Sequence, residues 1–150
     1  TAATETAAAV LADRAAREVP LAALTTYRVG GRAALFCAGH EHMADLVPEP
    51  VDAVMFNLGW LPGAAHAVTT RTETTLAAVE AALGLLKPEG IVTVCIYPGH
   101  AEGERELEAL IRWAGALDSG KWDALLKGYL NQPKRPPQLI AVKRKKETGA

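Results

Sequence analysis

Three short segments each set a glycine beside a polar side chain that could hold a substrate or move a proton: Gly39-His40-Glu41, Asn57-Leu58-Gly59 and Tyr97-Pro98-Gly99-His100. Each has a plainer reading. His40 and His42 are also what ordinary loop histidines look like, Asn57 can cap a turn through its side chain, and Trp60 can be a core residue. The coincidence of all three favours a shared pocket. No serine sits in a nucleophile elbow, no Walker-type loop is present, and paired carboxylates at strand ends are missing. Hydrolysis is therefore poorly supported. A transferase that works by positioning two substrates needs little more than such a pocket.

These segments must be held by the elements that precede them. Val51 to Phe56 is an apolar run too short for a helix, and it breaks at Asn57 into Leu58-Gly59-Trp60-Leu61-Pro62-Gly63. Ala33 to Ala38 reads as a second strand, and Ile91 to Ile96, dense in β-branched residues, as a third. In a parallel sheet the carboxyl ends of these strands share one edge, where ligands bind. Thr1 to Val19, rich in alanine and stopped by Pro20, reads as a helix. Met43 to Val47 makes one helical turn. Thr70 and Glu73 form a capping box for a helix that Lys87-Pro88-Glu89-Gly90 ends. Another helix covers Glu102 to Leu117, with Leu107, Leu110, Ile111 and Ala114 inward. Trp122 to Leu130 and Gln138 to Lys143 then pair as an antiparallel hairpin across a Pro-rich loop. The class is α/β with a mostly parallel sheet.

The chain of 150 residues suits a single domain. Charge is nearly balanced, 16 Lys+Arg against 17 Asp+Glu, so no strong global field marks a polyanionic partner. Lys134, Arg135 and Lys143-Arg144-Lys145-Lys146 concentrate the positive charge late in the chain, as a solvated tail or a phosphate contact. Cys37 and Cys95 lie in apolar runs and behave as small hydrophobes, which fits a reducing, cytoplasmic setting. Cys37-x-x-His40 has no second pair at ligand spacing, so no metal is expected. No apolar run approaches membrane-spanning length, and a soluble protein is expected.

Phe56-Asn57-Leu58-Gly59-Trp60-Leu61-Pro62-Gly63, Thr69-Thr70, Glu73-Thr74-Thr75, Leu85-Leu86-Lys87-Pro88-Glu89-Gly90, Tyr97-Pro98-Gly99-His100, Leu130-Asn131-Gln132 and Pro136-Pro137 carry a further signal. Together, from about Gly39 to Lys143, they resemble the rRNA methylase family of class I S-adenosylmethionine-dependent methyltransferases. The resemblance implies a Rossmann-like sheet with a C-terminal antiparallel hairpin and S-adenosyl-L-methionine as cofactor. It also implies tRNA or another RNA as partner, the characterised branch methylating the aminomethyl nitrogen of a modified wobble uridine. A homodimer is left open.

Carried over residue by residue, the resemblance places His40 and Glu41 near the cofactor's nucleoside. Asn57, Leu58, Gly59 and Trp60 stand where other methyltransferases have an Asn/Asp-Pro-Pro-Tyr-type motif, between methyl donor and target nitrogen. Tyr97 and His100 line the acceptor side. Trp60, Pro62, Gly63, Asn131, Pro136 and Pro137 frame the base. Trp60 replaces a more usual tyrosine; an indole still stacks, without the phenolic oxygen. His100 is the nearest base for the acceptor amine, or equally a hydrogen-bonding wall. The family's first two strands and the Gly-containing loop that holds the cofactor's methionine end are expected to be lacking, so this chain is expected to bind cofactor weakly or not at all, while the full-length parent is expected to be an active enzyme. Two rival readings are a small-molecule methyltransferase and a non-catalytic RNA-binding fragment.

Overall fold

The computed structural model describes residues 7–11, 33–58 and 71–146. Strand β1 (Ala7–Leu11) pairs in parallel with β2 (Ala33–Cys37). A 3₁₀ turn (His40–His42) and the single-turn helix α1 (Met43–Leu46) follow. Then come β3 (Val51–Asn57), α2 (Thr72–Leu85), β4 (Leu86–Ile96), α3 (Ala101–Gly115), β5 (Trp122–Lys127) and β6 (Gln138–Arg144). The second sheet has the order β3-β4-β6-β5, with β3 and β4 parallel and the two pairs involving β6 antiparallel.

Alternation along the strands decides which side is buried. Phe56 and Leu58 beside β4's Val92, Val94 and Ile96 and β6's Ile140 and Val142 form one cluster with Ala78, Val79 and Ala82 of α2 and Leu107 and Leu110 of α3. Each fully buried Val, Leu or Ile here contributes about 1.5–3 kcal/mol relative to exposure. The intervening positions point the other way, and Met55 there is 84% exposed.

Several expectations are corrected. Within Thr1 to Val19 the described residues are a strand, Ala7–Leu11, because pairing with β2 outweighs the helix propensity of an alanine run. Among the described residues β1-β2 and β3-β4-β6-β5 are two separate sheets. Helix α2 does end directly before Lys87-Pro88-Glu89-Gly90, at Leu85, but that segment is more than a stop. It is the irregular first half of β4, with a register shift opposite Val51 and Ala53 and Glu89 at φ 65°. Gly90 is needed there, since a Cβ would lie 2.9 Å from the Lys87 carbonyl oxygen and 3.1 Å from that of Asp52. Ile111 faces outward, 40% exposed. Strand β5 ends at Lys127, so Gly128 onward belongs to the loop.

The helix cap also differs. Thr70 lies outside the described residues, and Arg71 is the N-cap of α2, without a side-chain cap of its own. The first turn is capped from α3 instead, where Glu102 Oε1 accepts from the Thr72 backbone N–H (3.2 Å) and hydroxyl (2.9 Å). One helical turn on, the Thr75 hydroxyl donates to Oε1 of the buried Glu106 (2.8 Å). No described helix is long and apolar enough to cross a membrane.

Candidate functional site

The carboxyl ends of β2, β3 and β4 open toward one rim. His40, just past β2, meets the last buried residue of β3 edge-to-face, its ring centroid 6.0 Å from that of Phe56. One residue further, Asn57 is level with Cys95 of β4, and the Leu58 N–H donates to the Cys95 carbonyl at 3.0 Å. The ladder thus runs one residue past β3 and holds Asn57 on rigid backbone. By alternation Asn57 and Cys95 share the side of the sheet that none of the described helices covers, and Tyr97 follows beyond β4. A hydrogen bond with the Cys95 thiol, then that group's charge and burial, push the Tyr97 phenol up; a hydrogen bond with the Asn57 side chain pulls it down. Asn57, Cys95 and Tyr97 are thus neighbours at the ends of β3 and β4, and His40 approaches the end of β3 through Phe56.

His40 sits in a half-buried place, and desolvation lowers its pKa although Glu41 and Glu106 oppose the shift. In the unfolded chain the imidazole takes up its proton near pH ~6.5; in the fold it does so only at lower pH. Between those values the unfolded chain binds more protons, so stability rises with pH there and is lost as the solution is acidified. Denaturant melts at about pH 7 and about pH 5 should therefore show a larger acid loss for the native chain than for His40→Gln. Equal losses would remove His40 from the buried site. The Glu41 carboxylate folds back over Gly39, where a Cβ would lie 2.5 Å from both of its oxygens. It also lies 3.7 Å from the His42 ring nitrogen.

His100 is the N-cap of α3, and its Nδ1 accepts from the Gly103 N–H at 3.1 Å. A neutral imidazole has a single ring lone pair, so in that state its proton is on Nε2 and the ring offers a donor. Gly103 lies against Tyr97, and a Cβ there would come within 2.2 Å of the Tyr97 carbonyl oxygen. Glu102, which caps α2, is held below the usual carboxylate range first by the Thr72 hydroxyl.

The β5–β6 loop lies at the same end, because Gln138 pairs with Ile96 and Leu139 with Lys127. Its Arg135, at φ 44°, pairs through both carboxylate oxygens with Glu104 in the first turns of α3. Asn131, Pro136 and Pro137 are in this loop, so they stand on the rim side. Gly59, Trp60, Pro62 and Gly63 lie outside the described residues. The basic tail is at the far end, where Lys143 pairs with Ile91, the residue level with Ala53 near the start of β3. Rather than fraying, it is tied down: Lys145 to Asp123 (3.0 Å), Lys146 to Glu89 (3.7 Å) and Arg144 to the Leu86 carbonyl (2.6 Å). Reading the sequence missed Cys95, Glu102, Glu104 and Gly103 as parts of the rim. The acid-rich start of α3 was visible, but its partners lie about thirty residues away, with Glu102 to Thr72 a separation of 30 and Arg135 to Glu104 of 31.

Strands that deliver polar tips to one carboxyl edge, followed by an antiparallel hairpin, make this a Rossmann-like α/β fold of the class I methyltransferase type. Residues 12–143 match the family described as "Putative rRNA methylase", and the chain belongs to that family. It is 38% identical over 112 residues to the chloroplastic tRNA (mnm(5)s(2)U34)-methyltransferase of Arabidopsis thaliana, a match covering 73% of this chain and 41% of that protein. The chain thus spans about two-fifths of the length of that curated relative. Among solved structures it resembles the "putative rRNA-methylase" of Clostridium thermocellum, with TM-score 0.89 and 33% identity over 93% of this chain and 75% of that one. It also resembles a "putative methyltransferase" of Streptococcus mutans in complex with SAH, with TM-score 0.85 and 27% identity over 93% of this chain and 76% of that one.

Proposed function

We propose that the protein carrying this chain is an S-adenosylmethionine-dependent RNA methyltransferase that N-methylates the aminomethyl group of a tRNA wobble uridine. The observation that supports it most is the convergence of His40, Asn57 and Tyr97 on one rim of this fold. The names of the Arabidopsis relative and the SAH-bound neighbour agree with the substrate and the cofactor. The residues present fit the cofactor's nucleoside: the Glu41 carboxylate can accept from an exocyclic amine, and the half-buried His40 ring offers a flat wall. When bound, the cofactor supplies an electrophilic methyl group. The chain's own task is alignment and exclusion of water, with the acceptor nitrogen at ~3–3.5 Å from that carbon.

Asn57 and Tyr97 orient the acceptor amine, which attacks as the neutral base. With the cofactor bound, the nitrogen would take the methyl group as the donor's S–C bond breaks and S-adenosylhomocysteine leaves as a neutral thioether. The ammonium so formed would give up its surplus proton to solvent. His100 acts as a wall and a cap in this scheme, since its Nδ1 lone pair already receives a backbone N–H. His100→Asn, which can still cap a helix, should hold kcat within about threefold and keep stability, whereas His100→Ala should lose about 1 kcal/mol. If turnover falls about a hundredfold in both variants while His100→Asn keeps its Tm, His100 is the base after all.

The function itself is tested in the protein at its full natural length, with methyl-labelled cofactor and tRNA that carries the aminomethyl uridine. Label in that nucleoside after digestion is the expected result. Label only in small-molecule amines, with a flat salt response, would replace RNA by a small substrate.

A further inference from the structure

Among the described residues Arg135, Lys145 and Lys146 pair with carboxylates, whereas Lys127, Lys134 and, at the far end of the sheet, Lys121 and Lys143 make no ion pair; Lys127 closes β5 and Lys134 lies within the β5–β6 loop, both at the rim. Between them Tyr129 is 65% exposed and Leu130 entirely so. A large aromatic ring left in water, in a segment bounded by two lysines that make no ion pair, gains nothing for the fold. It matches single-stranded RNA, in which an unstacked base covers the ring and neighbouring phosphates take the lysines. The loop is not simply loose, because Arg135 holds its second half against Glu104 of α3. That anchor ties the loop to the start of α3, at the end of the sheet where Asn57 and Tyr97 lie.

We infer that the β5–β6 loop is an RNA clamp in which Tyr129 stacks on a base beside the modified nucleotide and Lys127 and Lys134 contact its backbone. This rests on the RNA reading above and assigns that substrate's second contact, away from the reacting atoms. The charge of the loop favours RNA over a peptide or a second copy of the chain.

The test measures fluorescence anisotropy of a labelled anticodon stem-loop RNA titrated with the 150-residue chain over a range of salt. Tyr129→Ala should weaken binding about tenfold and Tyr129→Phe by less than about twofold, since a phenyl ring still stacks. Lys134→Ala should lower the slope of log affinity against log salt by about 0.7, the value for one phosphate of a single strand. Lys143→Ala, at the opposite end of the sheet, should leave both unchanged. Native affinity and slope in Tyr129→Ala and Lys134→Ala would overturn the clamp while leaving RNA as substrate. Absence of RNA binding by the native chain, together with no label in tRNA in the full-length assay, would remove both. A concentration-dependent dimer that Tyr129→Ala dissociates, with RNA affinity intact, would make the loop a contact between copies and equally overturn the clamp.

Discussion

Gly103→Ala should lower stability by about 3 kcal/mol, an apparent Tm fall of roughly 10 °C for a chain of this size. The methyl group would be built 2.2 Å from the Tyr97 carbonyl oxygen, and its next neighbours are backbone carbon at 3.1 Å and the His100 ring at 3.2 Å. A clash with a flexible side-chain tip can be relieved by a rotamer change, but this one is with backbone that has to move. The first turn of α3 would be pushed from β4, loosening the His100 cap, the Glu102 cap on α2 and the Glu106–Thr75 hydrogen bond together. Gly99→Ala is the internal control, since a Cβ there meets nothing within 4 Å. It should stay within about 0.5 kcal/mol of the native chain. Thermal melts of the two variants side by side decide the matter, and equal Tm values would mean that the close approach of α3 to Tyr97 is not real.

That clash shows which parts of the molecule could be seen in advance. β3 and β4 were legible because dense β-branched or apolar runs ended in Gly and Pro are too short for helices. The hairpin was legible from two apolar runs around a Pro-rich loop. Ala7–Leu11 was not, because five residues of Ala, Val and Leu favour a helix until a parallel neighbour supplies the ladder. The cap of α2 was invisible for a related reason. Thr70 and Glu73 offered a local solution, while the fold uses a carboxylate from the next helix, 30 positions away from Thr72. The rim follows the same division. His40, Asn57 and Tyr97 announced themselves as polar breaks after strands. Cys95 looked like core, although its position level with Asn57 makes it a neighbour of the Tyr97 phenol.

The largest expected effect on catalysis belongs to Asn57. In the full-length enzyme Asn57→Ala should reduce kcat about a hundredfold or more, the usual scale for losing one preorganised hydrogen-bonding group at the reacting centre. The residue is exposed at the end of β3, so stability should change by less than about 0.5 kcal/mol. Its backbone is fixed by the ladder to Cys95 and by the Leu58 N–H bond just beyond it, so the group is placed before substrate arrives. Ordering of that kind lowers the barrier rather than merely tightening binding, and kcat should fall much further than KM rises. Asn57→Asp keeps an acceptor for the amine's N–H and should retain more activity than alanine. Tyr97→Phe, which leaves the amide in place, should lose less still, about tenfold. Steady-state kinetics on the three variants with tRNA as acceptor separate these roles. A kcat for Asn57→Ala within about twofold of native would take the rim's central residue out of the reaction, and with it the geometric basis for placing the chemistry at this edge of the sheet.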